Sequence, residues 1–377
     1  MRAVFTNAEV LGPQGWEVHD LALDGAKIAS EVDAPRYDLS GFRILPGIVD
    51  LHGDGFERHL APRRGAVQDL GAGLAATQAE LATNGITTAV LAQFFSWEGG
   101  MRSPDFAENM AAALSMFPAL LDLRLQLRLE THLTESYTRA EALIARHNIG
   151  YLVLNDHLPH AALAKGRKPP RLTGQALKSG RSPEAHLALL TELAARDVSA
   201  EVAALVARLT TKGVLVGSHD DASAQARATY RAMGAPLAEF PETVETAQAA
   251  KAAGDPVILG APNVLRGGSH AGKLRATDLV AADLCDALVS DYHYPALIGA
   301  VRRLVAEGVC DWAAAWRLVS ARPAEVLRLA DRGTLAPGKR ADIIVVEAVT
   351  GRICMTLAAG QIAHLTDPLA GRLIAAR

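Results

Sequence analysis

His52 and Asp54 stand two residues apart where the apolar run at 44–51 gives out. On an extended backbone, side chains two apart point the same way, so an imidazole and a carboxylate converge just beyond a buried strand. That pair offers two ligands to a borderline cation such as zinc. Gly53 and Gly55 carry no side chain, which lets backbone or ligand approach closely. Four later apolar segments end in the same kind of residue: Glu130, then His157, then His219 followed by Asp220 and Asp221, then Asp291. One such residue at a strand end is ordinary polar chemistry. Five ends together predict a centre for one or two divalent metal ions, zinc first, although mixed nitrogen and oxygen donors also accept manganese or iron. Two cations sharing a carboxylate would lower the pKa of a bridging water and polarise the bond under attack. Asp291 and His219 are the candidate catalytic residues, Asp291 as both ligand and base for that water. His160 lies three residues after His157 and leaves open which of the two is the ligand.

A second group suits anions. Residues 260–273 follow an apolar segment and are rich in glycine, with Asn263, Arg266, Gly267, Gly268, Ser269, His270 and Lys273 available. Glycine amides and a planar guanidinium are suited to phosphate. Arg63 and Arg64 add two more guanidinium groups just beyond the first metal candidates. The partner expected from these residues is a small anionic phosphorylated molecule.

The elements that must hold these residues alternate between helix and strand. Helical segments at 70–84, 107–121, 139–147, 198–211, 244–253 and near 276–284 lie between short apolar segments. Counting the run at 44–51, eight strands emerge, most separated by a helix-length segment. That pattern predicts an α/β fold, a closed (β/α)8 TIM-like barrel over 45–332. Residues 1–44 and 333–377 instead carry short strands broken by turns such as Asp24-Gly25, and predict a small β-sandwich built from both chain ends. Residues 159–183 are rich in Lys, Arg, Gly and Pro, and read as a mobile insertion, either solvated or a cationic lid.

The bulk composition agrees with a globular enzyme. The chain has 377 residues, half of them apolar, and a net charge of −3, which argues against nucleic acid or an anionic membrane as partner. No apolar run reaches the length of a membrane span, and the N-terminus lacks a signal-peptide core, so a cytoplasmic protein is expected. Cys285, Cys310 and Cys354 are widely spaced and predict reduced thiols.

These motifs together resemble the amidohydrolase superfamily. The resemblance runs through the Leu-Pro-Gly-Ile-Val-Asp-Leu-His-Gly-Asp stretch at 45–54, Asn-Gly-Ile-Thr-Thr at 84–88 and Leu-Arg-Leu-Glu at 127–130. It continues through Asn155-Asp156-His157, Ser-His-Asp-Asp at 218–221, the 260–270 block and Ser290-Asp291-Tyr292. His-x-Asp in place of the commoner His-x-His points to a phosphonate-utilising branch. The resemblance implies the metal-dependent hydrolase composite of barrel and β-sandwich, with His52, Asp54, Glu130, His157, His219 and Asp291 as ligands. It also implies cleavage of α-D-ribose 1-methylphosphonate 5-triphosphate to the 5-phosphate and pyrophosphate, and a homodimer is compatible with such a composite. Residues 55–59 depart from the branch, which makes Glu57 and His59 candidates to join the site, alongside Asp220 and Asp221. The rival activity is hydrolysis of a C–N bond by a deacetylase or cyclic amidase with the same ligands, which needs little positive charge nearby. A non-catalytic scaffold is the third alternative and predicts no bound metal.

Overall fold

The computed structural model describes residues 1–63, 66, 69–268 and 274–375. Its central sheet has eight strands in sequential order: β1 (Ile48–Gly53), β2 (Ile86–Phe95), β3 (Asp122–Glu130), β4 (Tyr151–Asn155), β5 (Leu215–His219), β6 (Leu237–Glu239), β7 (Val257–Gly260) and β8 (Ala287–Val289). Neighbouring strands pair in parallel. The ring closes through a parallel bridge from Gly53 to Asp291; Asp291 N–H donates to His52 O at 3.0 Å, and Asp54 N–H donates to Asp291 O at 2.8 Å. Closure thus runs through the backbone of three predicted site residues. Asp50, fully buried, reinforces the seam by accepting from Ser290 N–H at 3.0 Å and Ser290 Oγ at 2.5 Å.

The barrel interior is filled by Leu51, Val90, Tyr151, Val153, Leu237, Ile258, Ala287 and Val289. A larger apolar layer lies between strands and outer helices, among them Leu70–Thr83, Pro104–Met116, Tyr137–His147 and Ser199–Thr211. Local chemistry fixes where several helices start. Asp69 accepts from Ala72 N–H, and Ser103 and Ser182 each cap a helix whose first residue is proline.

Both chain ends build the sandwich that the turn-rich segments predict. Strands Glu9–Gly12, Gly15–Val18 and Phe42–Pro46 join Ile343–Glu347, Ile353–Ala358 and Gln361–Leu365 in one six-stranded sheet. A four-stranded sheet of N-terminal segments lies beside it, and Phe5, Leu23, Leu39, Ile44, Ile343, Met355 and Leu357 form their shared core. The hairpin signal at Asp24-Gly25 joins strands Leu21–Asp24 and Lys27–Ala29, with Gly25 at φ 64°. All three cysteines are free thiols. Among the described residues, no helix is long and apolar enough to cross a membrane.

β2 is ten residues long because Ala92 to Phe95 continue its buried run. Two segments differ from the sequence-based expectation. The glycine-rich stretch after β7 begins as a helix, Ala261–Arg266, with proline in its first turn. Within 159–183 the chain forms helices His160–Leu163 and Leu172–Lys178, followed by Pro183–Ala194. Leu172, Ala176, Leu190 and Leu193 are buried and give this part of the chain an apolar stripe that its charged composition masks. It also touches the loop after β2, where Arg181 Nη1 donates to Trp97 O at 3.1 Å.

Gly47 joins sandwich to barrel, and a methyl group there would clash with Thr87 Oγ1 and meet Thr87 Cγ2 at 2.7 Å. Gly47→Ala is therefore expected to destabilise the fold by about 1–3 kcal/mol through overpacking, read as a lower denaturation midpoint in urea.

Candidate metal centre

At the C-terminal mouth of the barrel, His52, Asp54 and Asp291 bring one ligand atom each to within 4.8 Å of the others. His52 is the penultimate residue of β1 and wholly buried. Asp291 follows β8 by two residues and sits at φ 54°, a left-handed conformation uncommon outside glycine. Burial pushes the Asp291 carboxyl up to about 6, and the charge of Asp54 adds to the rise, against the pull of His52 and Arg128. The sign follows directly. Below about pH 6 Asp291 holds a proton that a cation must displace, so cation affinity is expected to fall as the pH drops from 7.5 to 5.5, measured by chelator competition.

Glu130 ends β3 and is fully buried. Its Oε1 lies 2.5 Å from His157 Nδ1, and its Oε2 accepts from His157 N–H at 3.2 Å. Burial alone would raise this carboxyl, but the contact with His157 holds it below the usual range. His157, His219 and Asp220 form a further group of ligand atoms within 4.8 Å, and so do Glu98, Glu130 and His157. The six principal residues therefore meet at one mouth.

The choice between His157 and His160 is also geometric. His160 turns away to Asp156 Oδ2 at 2.8 Å. His160→Ala is expected to leave the metal content unchanged, whereas His157→Ala lowers it, by elemental analysis of both variants.

Arg128 occupies the middle of the mouth. Its Nη1 donates to Asp54 Oδ2 at 3.3 Å, and its Nη2 lies 3.0 Å from His219 Nε2. The guanidinium rests 4.0 Å from the centre of the Phe94 ring, and Arg102 stands 3.9 Å from that ring centre. Arg102 is paired with the buried carboxylate of Glu98 at 2.9 Å. Glu57 lies within this field. Burial raises its carboxyl, with Arg102, Arg128 and Lys178 pulling the other way and Asp54 adding to the rise.

Other expected residues have different partners. His59 lies 2.5 Å from Glu80 Oε2 and is turned away from the ligands. Asp221 is buried on Ser218 Oγ at 2.6 Å and Arg227 Nη1 at 3.1 Å. The amides of Gly267 and Gly268 both donate to Asn263 O at 3.1 Å and so end the helix rather than stand free for phosphate. Asn263 spends its side chain on Leu274 O and Ala276 N–H. Arg266 is exposed and donates to Tyr292 Oη, while Arg63 is exposed. Arg64, Ser269, His270 and Lys273 lie outside the described residues.

Three residues in or beneath the mouth escaped the sequence reading: Arg128, Glu98 and Glu239. Arg128 had a signal, since Gln126, Arg128 and Glu130 alternate with leucines along β3 and face one way. Glu239 ends β6 just as Glu130 ends β3. Glu98 had no such signal, because it lies three residues past the end of β2.

A divalent cation fits these residues. Both ring nitrogens of His52 are buried without a hydrogen-bond partner among the described residues, and imidazole and carboxylate donors surround the ring. Residues 182–367 match the amidohydrolase family. Across nearly its whole length the chain is 28% identical, over 358 residues, to alpha-D-ribose 1-methylphosphonate 5-triphosphate diphosphatase of Escherichia coli (strain K12). That alignment covers 92% of this chain and 93% of the relative. Both likenesses point to the amidohydrolase family. Solved structures of the same fold include N-acetylglucosamine-6-phosphate deacetylase from Pasteurella multocida, with TM-score 0.62 and 14% identity over 96% of this chain and 99% of that one. Beta-aspartyl dipeptidase from Fervidobacterium islandicum AW-1 gives TM-score 0.64 and 15% identity over 97% of both chains. The His, Asp and Glu clusters at the barrel mouth suit a divalent metal.

Proposed function

We propose that this hydrolase cleaves the phosphoanhydride between the α- and β-phosphorus atoms of α-D-ribose 1-methylphosphonate 5-triphosphate, giving the 5-phosphate and pyrophosphate. The observation that carries this reading is a guanidinium, Arg128, set among the candidate ligands with Arg102 across the Phe94 ring. A fixed guanidinium beside the candidate ligands suits the charged oxygens of a phosphoryl group. The name of the Escherichia coli relative points the same way.

His52, Asp54, Glu130, His157, His219 and Asp291 would hold one or two divalent ions, zinc by preference. Such ions supply an activated water and neutralise phosphoryl charge. Asp291 accepts the proton of the attacking water, since its carboxylate is ionised above about pH 6 and faces the other ligands. Arg128 holds a non-bridging oxygen of the transferring group. Arg102, paired with Glu98, stands against the same Phe94 ring.

The test is a screen of metal-replete protein against ribose 5-triphosphate derivatives, nucleoside triphosphates and N-acyl compounds. Pyrophosphate from the ribose 5-triphosphate is the expected product. Carboxylate release from an N-acyl compound with no pyrophosphate from any triphosphate would overturn the proposal in favour of C–N hydrolysis.

A further inference from the structure

Glu239, the last residue of β6, is fully buried. Its Oε2 lies 3.0 Å from His52 Nδ1 and 3.1 Å from His219 Nδ1. Its Oε1 accepts from Gln126 Nε2 at 2.7 Å and from the Tyr151 hydroxyl. Gln126 lies four residues before Glu130 on β3, so the carboxylate sits deeper in the barrel than the ligand mouth. The opposite ring nitrogens face outward. His219 Nε2 is 3.0 Å from Arg128 Nη2 and 3.7 Å from Asp220 Oδ2; neither ring nitrogen of His52 makes a hydrogen bond among the described residues, so Glu239 hydrogen-bonds His219 Nδ1 and meets His52 Nδ1 as a close ionic contact.

We infer that Glu239 is a positioning residue that grips both imidazoles by Nδ1 and so presents both Nε2 lone pairs to the cation. This rests on the reading of His52 and His219 as metal ligands. A neutral imidazole carries one ring proton; a carboxylate at Nδ1 fixes the proton there and leaves Nε2 as the donor. The same contact orients the ring and makes it the stronger donor. Here one carboxylate serves two ligands from strands on different sides of the barrel, and Gln126 and Tyr151 fix its own orientation.

Phe240 completes the arrangement. It sits at φ 52°, a strained position for a bulky residue, and its ring meets His52 edge-on at 5.3 Å and His219 at 5.0 Å. The two imidazoles stack on each other with centroids 5.5 Å apart. Glu239 and Phe240 thus confine both rings, the first by charge and the second by shape.

The experiment uses the full chain loaded with Co(II), whose paramagnetism shifts the ring N–H protons of bound imidazoles clear of the protein envelope. The expected proton spectrum in water shows two shifted, solvent-exchangeable N–H signals that persist in His157→Ala and vanish from Glu239→Ala. Glu239→Gln, which keeps the shape but not the charge, is expected to bind Co(II) about 10–100-fold more weakly in chelator competition. Co(II) bound with fewer than two persisting N–H signals, or Glu239→Gln with unchanged affinity, overturns the inference while leaving the metal centre standing. Absence of Co(II) binding overturns the metal centre itself, and this inference with it. The wild-type and His157→Ala spectra decide the matter even where Glu239 variants fail to fold.

Discussion

Asp291→Asn is expected to lower kcat for pyrophosphate release by about 10²–10⁴ at saturating metal. The substitution keeps size and shape but removes the base. The backbone at 291 must keep φ 54° and its two bonds to the β1 end, and asparagine tolerates that conformation better than most residues. The barrel seam therefore survives, and the loss reports chemistry rather than folding. A variant that retained half of wild-type kcat with saturating metal would remove Asp291 from the proton transfer.

Arg128→Met carries the second large effect, an expected loss of about 10²–10³ in kcat. Methionine fills much of the volume against Phe94 but brings no charge to the position between Asp54 and His219. If Arg128 stabilises charge developing on the phosphoryl oxygens, the loss falls mainly on kcat. If it served only to attract an anion to the mouth, KM would rise and kcat would stay, and added salt would erase the difference. Single-turnover and steady-state rates on the same triphosphate separate these outcomes.

The barrel was readable because its signals are local. Apolar runs end in polar residues, and helix-length segments lie between them. The two-residue spacing of His52 and Asp54 and the terminal placement of Glu130 and Asp291 likewise follow from strand geometry alone. What did not read through was partner choice. His59 and Asp221 have the same side-chain chemistry as the ligands, yet Glu80 and Arg227 claim them from elements far along the chain or across a turn. The glycines at 267 and 268 carry the composition of a phosphate loop, but a helix end uses their amides. Charge in the 159–183 insertion concealed Leu172 and Ala176, which are buried as it folds. Glu239 and Arg128 were legible by the rules already applied to Glu130, and only β6's brevity and a leucine-rich setting hid them.

Elemental analysis of the full chain, purified without chelator, addresses the metal centre most directly. One or two equivalents of a divalent transition metal per chain are expected in the wild type. The double variant His52→Ala/His219→Ala is expected to lose them while keeping its far-ultraviolet circular dichroism. Metal retained in full by that double variant, or a metal-free wild type that still releases pyrophosphate, would contradict the assignment of these residues as the cation's ligands.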